Sequence, residues 1–184
     1  MDAGRGSGAP QCVELLSALQ AAGWRVTRRP AGDPVQFHGV LGARYPRVPH
    51  AFQWFLDTVA VCVNPSATVW FLGADDYAGR SDAAFAWNEC ERQSVAAADG
   101  DEALLGAVDA FWSRHLPFLM SVKDGYAFAA ISLGDDAYGA VVVGREPEYE
   151  DVDQVCTSFG EFADAFAAAV SGATITGLTP FCGP

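Results

Sequence analysis

The spacing of apolar positions changes along the chain, and each change marks an element. Val13, Leu16 and Leu19 recur at helical spacing, with Leu15 and Ala22 beside them, and predict a helix over Pro10–Ala22. Gly23 follows as a stop, because glycine accepts the left-handed conformation that ends helices. Trp24, Val26 and Arg28 then alternate with Arg25 and Thr27, the period of a short strand. Residues 30–49 hold Pro30, Gly32, Pro34, Gly39, Gly42, Pro46 and Pro49, which predicts a loop-rich stretch with a short strand at Val35–Phe37. Pro49 suits the first turn of a second helix. Phe52, Phe55, Leu56, Val59 and Val63 form its apolar stripe, and Asn64-Pro65 ends it, since the residue before proline avoids the helical region.

Thr68–Leu72 reads as a buried strand and 73–79 as a polar turn or loop. Ser81 or Asp82 is placed to cap a third helix reaching Ala98, and Asp99-Gly100-Asp101 breaks it. A fourth helix is expected over Glu102–Arg114, with Leu104, Leu105, Val108, Phe111 and Trp112 inward and Pro117 blocking its extension. Phe118–Val122 and Tyr126–Ile131 are strands around Asp124-Gly125, a strong hairpin signal. A turn over Gly134–Tyr138 leads to the continuous apolar run Gly139–Gly144, the pattern of a strand covered on both faces. Ser158-x-x-Glu161 is a capping box that opens a last helix with Phe159, Phe162, Phe166 and Val170 on one face. Ser171-Gly172 closes it, and the tail to Pro184 is expected to add a short edge strand. The elements predict one α+β domain over 10–184, a mixed, mostly antiparallel sheet packed against N- and C-terminal helices. Residues 1–9 are expected to form a flexible lead-in.

Composition narrows the function. The chain has 184 residues, half of them hydrophobic (51%), enough for a full core and too apolar for wholesale disorder. Its longest apolar run, near Ala51–Val63, is interrupted by Asp57 and is too short for a membrane span. The N-terminus has no apolar segment of the secretory kind. Cys12, Cys62, Cys90, Cys156 and Cys182 are odd in number and widely spaced, which points to reduced thiols in a cytoplasmic protein and away from a disulfide frame or zinc site. The net charge is −12, and residues 51–184 alone carry twenty acids against five bases. Such a surface repels nucleic-acid phosphates and attracts a cationic partner.

Catalytic signals are weak. His38, His50 and His115 form no metal-binding pair. Gly4-x-Gly6-x-Gly8 lacks the preceding strand and the lysine–hydroxyl pair of a phosphate loop. Asp75-Asp76 and Asp135-Asp136 are paired carboxylates in turns, where short acids commonly bond local backbone. If they converged they could serve a small metal-dependent hydrolase. Glu146–Asp153 holds five acids in eight residues, with Tyr149 embedded as an interface anchor. Trp54, Trp70 and Trp112 are expected in the core, and Cys62, in apolar sequence with no nearby base, as an inert thiol.

In order, LGARYPRVPHAFQWFL (41–56), VWFLG (69–73) before Asp75-Asp76-Tyr77, FW…LPF (111–118), KDGYAFAAI (123–131), GAVVVG (139–144) and SFGEFADAF (158–166) resemble the SUKH superfamily. That group contains the yeast cell-wall-synthesis regulator and many bacterial immunity proteins. The Asn-Gly pair common after its first helix is replaced here by Val61–Pro65, and its glycine cluster is reduced to Gly125. The resemblance implies an α+β fold without catalytic residues or cofactors, and a cytoplasmic protein that neutralises a toxin, often a nuclease. The expected docking residues are Asp75, Asp76, Tyr77, Asp135, Asp136, Tyr138, Glu148, Tyr149, Glu150 and Asp151. The carboxylates would steer and pair with a cationic protein, and the tyrosines would anchor it. The alternative is a general interaction or regulatory scaffold.

Overall fold

The computed structural model describes residues 9–82 and 84–182. In chain order these form α1 (Ala9–Ala21), β1 (Arg25–Arg28), α2 (Gly39–Arg44), α3 (His50–Thr58), β2 (Val59–Val63), β3 (Val69–Phe71), α4 (Ala74–Tyr77), α5 (Glu89–Ala97), α6 (Glu102–Trp112), β4 (His115–Ser121), β5 (Ala127–Ser132), β6 (Val141–Arg145), β7 (Asp153–Cys156) and α7 (Phe159–Val170). The strands make one sheet in the order β1 to β7, and every neighbour pair is antiparallel. The expected α+β domain forms, and its sheet is an uninterrupted antiparallel meander. The lead-in expected over 1–9 lies outside the described residues except for Ala9, which begins α1.

Residues paired across a sheet share a face. Phe71, Leu119, Ala129 and Val143 therefore point one way, and Trp70, Met120, Phe128 and Gly144 the other. On the first face Phe71 meets Trp24, Phe55 and Phe166, beneath the mutually packed α1, α3 and α7. On the second, Phe128 meets Trp112 of α6 and Tyr149, and Trp70 meets Phe85. Cover on both sides explains why every residue of β5, and all of β4 after His115, is buried.

The β4–β5 register slips between Pro117 and Leu119, making Phe118 an extra residue. The slip tolerates a proline inside a central strand and lets Phe118 join Leu119 on the first face. Its ring packs against Phe52, Phe71, Phe159 and Phe162.

Several expectations change, and Leu104 of α6, expected inward, is exposed. The second helix stops at Thr58, and 59–63 is β2. Val59, Val61 and Val63 are β-branched and suit a strand, and pairing with β1 and β3 decides it; the register slips at Ala60, so Val59 and Cys62 are buried while Val61 is exposed. Val35–Phe37 forms no strand: Val35 N–H donates to Asp57 Oδ1 (2.6 Å) and its carbonyl accepts from Gln53 Nε2 (2.9 Å). Ser81 and Asp82 start no helix. α5 begins only at Glu89, because the preceding segment lays Phe85 on Trp70 and Trp87 against Tyr45 and Tyr77. Through Cys182 the tail runs in turns and bends, burying Leu178 and Phe181 in place of the expected strand. The Ser158 cap holds: its Oγ accepts from Glu161 N–H (3.1 Å), while Glu161 reaches back to the N–H and hydroxyl of Thr157 (2.7 and 2.6 Å).

Candidate functional site

The ten expected docking residues fall in three turns with different fates. In the first, Gly73 N–H donates to Asp76 Oδ2 (2.7 Å), so Asp76 caps the single turn of α4. Only glycine fits there, since a Cβ at Gly73 would lie 2.8 Å from the Ala60 carbonyl oxygen. Asp75 Oδ1 accepts from Nη2 and Nε of Arg80 (2.7 and 3.1 Å), so its charge already has a partner. Tyr77 is buried against Phe37 and Trp87, and its hydroxyl donates to the Pro117 carbonyl (2.6 Å). Burial raises its ionisation well above the ordinary tyrosine value, with the Asp76 charge adding to the effect.

In the second turn Asp135 is fully exposed and lies 3.7 Å from Arg47 Nη2. The Arg47 guanidinium also sits 4.8 Å from the Tyr138 ring centroid, a cation–π contact on a half-exposed tyrosine. Asp136 is exposed, with Oδ1 folded over Gly134.

The third turn is the loop between β6 and β7. Tyr149 is buried, and its hydroxyl donates to Gln93 Oε1 of α5 (2.7 Å). Glu150 Oε1 accepts from Trp112 Nε1 (2.6 Å). These two bonds pin the loop to α5 and α6 and leave Glu148 and Asp151 facing solvent. They border a cleft of about 400 Å³ together with Glu146, Asp153 and Arg145, closed on its far side by Thr176–Pro180 of the tail. Among the described residues none of these four carboxylates is in an ion pair.

The meander places these turns apart. β3 and β5 run in the same direction, so the turns after them leave one end of the sheet; β6 runs oppositely, and its loop leaves the other end. The expectation of one docking face is therefore corrected: the acids are split between two ends. Tyr77 and Tyr149 are corrected from surface anchors to core side chains, Asp76 to a helix cap, and Glu150 to the partner of a buried indole. What the structure brings together is Glu148 and Asp151, joined by Glu146 and Asp153. The acid run was visible in sequence. The tail that forms the second wall was not, since nothing in Thr176–Pro180 announces its position.

Burial pushes the Cys62 and Cys90 thiols up to about 12, and the acids Glu89, Glu150 and Glu146 add to the rise at Cys90. Cys12 is likewise raised to about 12 by burial and the nearby Asp164. Among the described residues no group of three or more His, Cys, Asp or Glu side chains is arranged to hold a metal ion, and no helix is long and apolar enough to cross a membrane. Compared with known proteins, the chain matches no protein-family model and no curated protein.

Proposed function

We propose that this protein is a non-catalytic acidic binding protein that captures a cationic protein partner in the cleft between the β6–β7 loop and the C-terminal tail. The observation that carries the reading is the cleft itself: among the described residues its lining holds Glu146, Glu148, Asp151 and Asp153 and one base, Arg145. Its volume suits an arginine or lysine side chain. A desolvated carboxylate pair around a guanidinium is the strongest form of such a contact. The loop is held before binding by Trp112 and Gln93, so little ordering is needed when a partner docks. The net charge of −12 speeds encounter with a basic protein and disfavours nucleic acid.

The specific form of the proposal is a cytoplasmic immunity protein that neutralises a basic toxin, for which a nuclease is the natural class. It draws on the SUKH resemblance, carried by the order of short motifs over roughly residues 40–170. A phosphate-gripping nuclease exposes a cationic site, and an acidic cleft covers it by complementarity. The test is co-expression with the product of the adjacent gene and co-purification at low and high salt. A basic toxin that co-purifies, and whose association slows as salt rises, supports the reading. A neighbour that neither binds nor carries excess positive charge contradicts it.

A further inference from the structure

A second cleft, of about 500 Å³, has the opposite character. Arg29 after β1, His38 before α2 and Arg80 after α4 line it, with Phe37, Leu41 and Ala74 among its apolar walls. Among the described residues no carboxylate lines it, although acids outnumber lysine and arginine 23 to 11 in the chain. Two acids beside the cleft are engaged elsewhere. Asp57 Oδ1 accepts from Val35 N–H and Gln53 Nε2, and Asp75 pairs with Arg80 from the neighbouring cleft. Arg29 is half-buried, and its Nη1 donates to the Leu56 carbonyl (3.3 Å), which leaves the rest of its guanidinium fork to other acceptors. Phe37 is backed by the Tyr77 ring at 5.1 Å between centroids, so the apolar wall is held from behind.

We propose that this cleft binds a small organic anion, a phosphate or carboxylate carried on an apolar body. The guanidiniums of Arg29 and Arg80 and the His38 ring receive the oxyanion, since planar N–H forks match such groups. Phe37 and Leu41 take the apolar part. The volume lies within the range of small-molecule sites. Arg80 exchanges Asp75 for the ligand, so the Asp75–Arg80 pair opposes binding. The site stands apart from the acidic cleft and does not depend on its reading.

The test is calorimetric titration of the full chain with phenyl phosphate, benzoate and inorganic phosphate. At least one of the two aromatic anions should bind about tenfold more tightly than inorganic phosphate, and which of them does identifies the head group. Arg29→Gln should weaken binding by about tenfold, and His38→Gln several-fold. Asp75→Asn should tighten it, while Asp135→Asn, in another turn, should leave it unchanged. Arg29 also holds the Leu56 carbonyl, so its variant is checked by thermal melting; exposed His38 keeps the test decisive if Arg29→Gln unfolds. Neither aromatic anion binding, inorganic phosphate binding equally well, or binding indifferent to His38→Gln would overturn the proposal.

Discussion

The indole of Trp112 donates to Glu150 across 38 positions of sequence, with 2.6 Å between Nε1 and Oε1. Trp112 is buried, so this bond satisfies a donor that water does not reach and fixes the acidic loop to α6. Glu150→Ala orphans that donor and should cost about 1–3 kcal/mol. Glu150→Gln retains an acceptor and should cost less. Urea unfolding of both variants beside the parent measures the difference.

The loop's path over β6 requires Gly144. A Cβ there would lie 2.6 Å from two atoms of the Phe128 ring and 2.7 Å from the Tyr149 carbonyl oxygen. Gly144→Ala should therefore destabilise the protein by about 1–3 kcal/mol, through overpacking that the surrounding core cannot relieve. Gly106 on α6 is the contrast, because a Cβ there meets nothing within 4 Å. Gly106→Ala should stabilise by up to about 1 kcal/mol, the helix-propensity difference. Thermal melts of the two variants should move in opposite directions.

The buried thiols set an alkaline limit. Cys12, Cys62 and Cys90 are each raised to about 12 in the folded chain from an ordinary value of 9.0. The folded state disfavours their thiolates, so their contribution to stability is full below pH 9.0 and is lost as pH rises through about 12. The melting temperature should fall across that interval. At neutral pH these three thiols should resist alkylation in the native protein and react once it is denatured, as mass spectrometry would show.

Much of the fold was legible because its strongest patterns are local. α1, the β4–β5 hairpin around Asp124-Gly125, and α7 with its Ser158 cap follow from spacing within a dozen residues. β2 was hidden because Val59 continues the Phe52–Phe55–Leu56 stripe and also begins a period-two run; pairing with β1 and β3, which are distant in sequence, decides it. β7 is short, and two of its four residues are Asp153 and Gln154, so the acid run masked it. The site was legible only as composition. That Asp135 approaches Arg47, or that Glu150 takes up Trp112, depends on tertiary packing that no local pattern encodes. Asp75 and Arg80 lie five positions apart and were within local reach, yet the pairing depends on the one-turn α4 forming where a loop was expected.

The central claim is that the acidic cleft, and not net charge, receives a cationic partner. The direct measurement is calorimetric binding of an oligoarginine peptide to two double variants that each remove two negative charges. Glu148→Gln with Asp151→Asn neutralises the cleft, and Asp75→Asn with Asp135→Asn neutralises the paired acids at the other end of the sheet. The account predicts that the cleft variant loses about tenfold or more in affinity while the other stays near the parent. Equal losses in both, or no loss in the cleft variant, would contradict it.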